Sequence, residues 1–192
     1  MNSLTIGMLL GTLLIHGGFQ STSTVTDAQR ERARRIYLPS APHEALQKLV
    51  GTWEQTTEYS AGGGKTTTTR GTVVNRPALG GRFVVSEGAS KDASGSFATE
   101  AMLIFGFDGR SSQHTVIVLD TFGTYFVTAA GANAPEASRL LMSGETPEGR
   151  GVKRFDVVVE WTGPDTYVTR IVFNLPGQPP VPAVTSVHRR IR

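Results

Sequence analysis

The chain has no cysteine. That single absence excludes disulfides, thiolate nucleophiles, cysteine-based zinc sites and a lipobox, while leaving the compartment undecided. Charge is sparse too: 18% of residues are charged and the net charge is only +3 over 192 residues. The basic residues are spread out except in two runs, Arg30–Arg35 (RERARR) and His188–Arg192 (HRRIR), neither interleaved with aromatics. They read as a solvated helix face and a basic terminus, so no nucleic-acid partner is expected. Histidine is scarce, and His16, His43, His114 and His188 show neither His-x-His nor His-x-x-x-His spacing. No metal site is therefore assigned. There is no Gly-x-Ser-x-Gly elbow, and the AGGGK stretch lacks the strand–loop–helix setting of a phosphate loop.

Long apolar runs are missing except at the start. Leu4–Phe19 is apolar and precedes every charged residue, the first being Asp27. It is too short and too glycine-rich for a span of about 20 apolar residues. It suits the apolar region of a secretory signal peptide, although no Lys or Arg precedes it and no Ala-x-Ala follows. Residues 1–25 are read as a signal peptide or disordered leader. This favours export, periplasmic or secreted, over a cytoplasmic location, with no stable membrane span.

What is present is turn-rich and globular: 39% hydrophobic residues, 22 Gly and 10 Pro. The length suits one domain. Thr26–Tyr37 has a capping residue and a run of Ala, Gln, Arg and Glu, which predicts a helix stopped by Pro39 and Pro42. Residues 26–42 form this helical extension, and residues 43–192 form the main domain. His43–Leu49 predicts one or two more helical turns.

After Gly51, β-branched and aromatic residues dominate and turn signals recur, as in SAGGGK, KDASGS, FDGR and TGPD. About ten strands are expected, each joined to the next by a short connection. Several alternate cleanly, so each has one buried face. Phe155, Val157, Val159 and Trp161 share a face, as do Tyr167, Thr169, Ile171 and Phe173. Consecutive antiparallel strands hide their edges by closing. The fold class is all-β, a single antiparallel up-and-down barrel, with a two-sheet sandwich as the alternative.

In the first strand, Trp53, Gln55, Thr57 and Tyr59 are placed inward. A packed core seldom takes such polar groups unpaired, whereas a partly polar cavity does. In the last strand, Thr185, Val187, Arg189 and Ile191 are placed inward, which sets Arg189 over Trp53 as a structural plug. Gln55, Thr57, Tyr59, Phe83, Glu87, Phe105 and His114 are the candidate ligand-binding residues. No catalytic residue is assigned. An alternative reading is a small enzyme using Glu87 with His114 for proton transfer.

The stretches LVGTWEQTTEY, LGGRFVVSEG and LIFGFDG, a Thr-rich second strand and a closing strand before a basic C-terminus carry a resemblance. Over residues 43–192 the chain is similar to the bacterial domain-of-unknown-function-1579 family and, more broadly, resembles lipocalin-like, or calycin, barrels. The resemblance implies a small barrel and brings no established activity or catalytic residue. Some calycin-like barrels are isomerases, cyclases or decarboxylases. Nitrobindin-like proteins share a Gly-Thr-Trp opening and bind haem through a histidine near the C-terminus. Here His188 is placed on the face away from Val187 and Arg189, which argues against haem, and no cofactor is expected. The function expected is non-catalytic binding of a small, mainly apolar molecule. Oligomeric state is left open.

Overall fold

The computed structural model describes residues 26–60, 64–134, 137–149 and 151–191. The expected leader, residues 1–25, lies outside them. Helix α1 spans Asp27–Tyr37. Thr26 and Gln29 cap it reciprocally, each side chain accepting a hydrogen bond from the other's backbone N–H. Helix α2 (Ala41–Leu46) begins just ahead of Pro42 rather than ending there. Proline is tolerated in a first helical turn because its missing N–H would have had no partner. A 3-10 turn, Gln47–Leu49, follows. Leu46 and Leu49 are fully buried and carry this segment into the core.

The rest is a closed antiparallel barrel in sequence order, with the first strand pairing the last. Its strands are β1 (Gly51–Ser60), β2 (Thr66–Ala78), β3 (Phe83–Lys91), β4 (Ala98–Asp108), β5 (Gln113–Asp120), β6 (Phe126–Gly131), β7 (Arg139–Glu148), β8 (Gly151–Gly163), β9 (Thr166–Asn174) and β10 (Val181–Arg190). The two ends differ. The buried core takes in Leu46, Leu49, Trp53, Phe105, Val116 and Phe155, and Leu46, Leu49 and Trp53 fill the Gly51 end of β1. At the Ser60 end Tyr59 lies beside Phe97 and Phe122 instead. No helix among the described residues is long and apolar enough to cross a membrane.

The seam between β1 and β10 settles which side chains point inward. Trp53 pairs with Arg190, Gln55 with His188, Thr57 with Ser186 and Tyr59 with Val184. Directly opposed residues of an antiparallel pair share a face. The inward set of β10 is therefore Val184, Ser186, His188 and Arg190. This corrects the expected parity: Arg189 pairs with Glu54 and is exposed. Gly51 is the glycine this seam requires. Its φ is +137°, and the Arg190 guanidinium occupies the space where a β-carbon would sit.

Candidate functional site

At the plugged end, Trp53 holds the strand to the 3-10 turn by donating from Nε1 to the Leu49 carbonyl at 2.8 Å. Arg190 lies over the indole, 4.0 Å from guanidinium carbon to ring centroid. It donates to the carbonyls of Val50 at 2.6 Å and Lys48 at 3.0 Å, and pairs with Asp165 at 3.3 Å. The plug expected of Arg189 is thus made by Arg190. Trp53 meets Tyr167 edge-on, with centroids 4.7 Å apart. The Tyr167 hydroxyl accepts from Asn75, which also donates to the Leu49 carbonyl. Burial raises the Tyr167 pKa, opposed by the Asn75 bond, so the phenol stays neutral.

Beyond Tyr167 the barrel opens into a cavity of about 120 Å³. Its walls are mainly apolar, including Leu103, Phe105, Val118 and Ile171, with Gln55, Ser86 and His188 among them. Gly88 makes room beside Gln55, since a side chain there would collide with Val73. Nearer the mouth, hydroxyl groups satisfy one another. Thr57 bonds Ser186 at 2.8 Å. Thr69, Ser90, Thr99 and Tyr59 form a chain with links of 2.9, 3.1 and 3.0 Å. Tyr59, Phe97 and Phe122 cluster there with centroids 5.3–5.8 Å apart. Phe122 is 53% exposed, and its backbone N–H is fixed by the Asp120 carboxylate.

His188 is the exception to this mutual satisfaction. It is 5% exposed and stacks on Tyr167, with centroids 4.1 Å apart and planes 6° from parallel. Neither ring nitrogen has a hydrogen-bond partner. Leaving a buried polar group unpaired costs about 1–3 kcal/mol. Burial lowers the His188 pKa to about 4, so the ring is neutral near pH 7, with one nitrogen a donor and the other an acceptor.

Among the residues expected to bind ligand, Gln55, Tyr59 and Phe105 line this cavity. Thr57 is buried behind it, tied to Ser186. Phe83 and Glu87 do not reach it. In β3 the inward positions are Val84, Ser86 and Ser90, all buried, with Gly88 between them. Phe83 consequently packs outside on Gly106, and Glu87 pairs with Arg76 on the outer wall. His114 points inward but lies at the plugged end against Phe107, with centroids 5.2 Å apart. It is fully buried, and the Pro42 carbonyl nearby makes no hydrogen bond of normal geometry to it. Glu87 and His114 therefore do not meet, and the pair expected for the enzymatic alternative is not assembled.

The sequence pattern did not single out Ser86, Ser186 or an inward His188. A signal existed for the last two. Polar residues at Gln55 and Thr57 require polar partners across the seam, and Ser186 and His188 are the alternate positions that supply them.

His188 faces inward, so the parity argument against haem falls. Size supplies a different objection. An apolar cavity of about 150 Å³ takes up benzene. A porphyrin is several times larger than a cavity of about 120 Å³. No group of three or more His, Cys, Asp or Glu able to hold a metal ion occurs among the described residues.

A family model described as "Protein of unknown function (DUF1579)" matches residues 38–190. Among solved structures the chain is similar to Rv2717c from M. tuberculosis, at 14% identity and a TM-score of 0.60, covering 80% of this chain and 99% of that one. It is also similar to a de novo designed fluorescence-activating β-barrel, at 16% identity and a TM-score of 0.43, covering 77% of this chain and 97% of that one. No match was found among curated proteins.

Proposed function

The chain belongs to the family described as protein of unknown function (DUF1579), and from that premise we propose that its barrel is a non-catalytic binder of one small, mainly apolar molecule. The observation that carries this reading is the cavity of about 120 Å³ between the Trp53 plug and the Tyr59–Phe97–Phe122 cluster. Small-molecule sites combine apolar walls with a few placed polar groups, and this cavity has that make-up. Binding is favoured over catalysis because no carboxylate or other titratable group is hydrogen-bonded to His188. A general acid or base works best with a pKa near the operating pH, and burial holds that of His188 at about 4.

Ligand-observed NMR with toluene tests this. Saturation transfer to toluene is expected with the native chain. It is expected to disappear in Leu103→Trp, which fills the cavity while conserving apolar character. Toluene binding unaffected by Leu103→Trp, or no binding to either protein, would sink the reading. Haemin titration followed at the Soret band is expected to give no saturable complex.

A further inference from the structure

The cavity does more than set a size limit, because its hydrogen-bonding groups are unequally used. Thr57 is bonded to Ser186, and Tyr59, Thr69, Ser90 and Thr99 are bonded among themselves. His188 has two buried ring nitrogens and no partner for either. Gln55 stands directly across the β1–β10 ladder from it, on the same inward face, with its amide at the cavity wall. A hydroxyl group is the complement of this pair. It can donate to the imidazole acceptor nitrogen while accepting from an amide N–H.

Charge narrows the choice. Arg190, the cation on the same face of β10, lies over Trp53 and is already engaged by Asp165 and two carbonyls. Glu100 and Asp120 belong to the mouth, where Asp120 is engaged by the Phe122 N–H. No counter-ion therefore stands beside His188, and a buried unpaired ion is strongly disfavoured. The size matches a single ring, and the flanking Tyr167 and Phe105 offer ring edges and faces to pack it.

Resting on the small-ligand reading above, we infer that the molecule this barrel selects is an uncharged hydroxylated single-ring aromatic, a phenol. Its hydroxyl is held by His188 and Gln55 and its ring by the apolar wall.

Calorimetric titration at pH 7.5 with phenol, toluene and benzoate tests it on the full chain and on His188→Phe, which keeps an aromatic ring on Tyr167. Phenol is expected to bind about tenfold more tightly than toluene to the native chain, the difference of one well-placed hydrogen bond. In His188→Phe that ratio is expected to fall to about one with toluene affinity retained, and benzoate is expected not to bind either protein. A measurement on the unmodified chain guards against a variant that fails to fold: phenol, but not toluene, is expected to shift the His188 ring ¹⁵N resonances. Equal binding of phenol and toluene would overturn the phenol assignment and leave the small-ligand reading standing. A preference that survives in His188→Phe, or an unmoved His188 resonance, would do the same. Binding of neither compound would overturn both.

Discussion

At the scale of single residues, the molecule distinguishes two adjacent arginines. Arg190 stacks on Trp53, donates to two carbonyls and pairs with Asp165, whereas its neighbour Arg189 is exposed. Arg190→Met removes all of these and leaves the Val50 and Lys48 carbonyls unpaired. It is expected to destabilise the barrel by about 2–4 kcal/mol. Arg189→Met is expected to stay within about 0.5 kcal/mol. Urea midpoints of the two variants decide it, and equal losses would contradict the observed parity. Gly51→Ala probes the same seam from the other strand. A β-carbon at φ +137° would displace the Arg190 guanidinium, so a loss of about 1–3 kcal/mol is expected in the same assay.

Secondary-structure elements show where sequence was sufficient and where it was not. The cap of α1, the strand count, the closure and the inward set of β1 were all legible, because capping residues, turn residues and a period of two are local signals. The faces of β3 and β10 were not. In both strands apolar residues fall on both faces: Phe83 and Val85 lie outside β3 and Val84 inside it, and Val187 lies outside β10 and Val184 inside it, while Ser86, Gly88, Ser186 and His188 also face inward. A barrel wall bordering a partly polar cavity blurs the usual pattern. Only cross-strand register, a long-range fact, restores it. The N-terminal elements invite a contrast. Leu49 is fully buried beneath Trp53, whereas α1 is largely exposed and reaches the barrel through the bond from Arg82 to the Tyr37 carbonyl. Leu49→Ala is expected to cost about 2–5 kcal/mol. Ala33→Pro, which breaks α1, is expected to move the thermal midpoint little, since few packed contacts depend on that helix. Comparable changes from the two would show that α1 helps to hold the plug.

At the scale of the whole molecule, three histidines are buried among the described residues, His43, His114 and His188, and they act together in its response to acid. His188 has no hydrogen-bond partner, His114 lies close to His43, and His43 lies close to Arg82. Burial is the leading cause in each case and lowers all three pKa values. The Arg82 charge lowers His43 further, and the His43 charge lowers His114 further. In the unfolded chain these groups take up protons near pH 6.5. His188 in the folded barrel does so only near pH 4. The unfolded state thus binds more protons between those values, and stability falls as pH falls through that window. Holding His188 neutral down to about pH 4 makes its own contribution to that loss on the order of 3 kcal/mol, and the other two histidines act in the same direction. Urea unfolding at pH 7.5, 5.5 and 4.5 is expected to show a steep decline in the native chain and a shallower one in His188→Phe. The Arg170 guanidinium bonded to Glu160 holds that carboxyl below its usual range, and because this pair is common to both proteins its contribution cancels in the comparison. Parallel declines in the two proteins would mean that His188 is already paired or protonated in the folded state. That result would also remove the unused hydrogen-bonding capacity on which the phenol assignment depends.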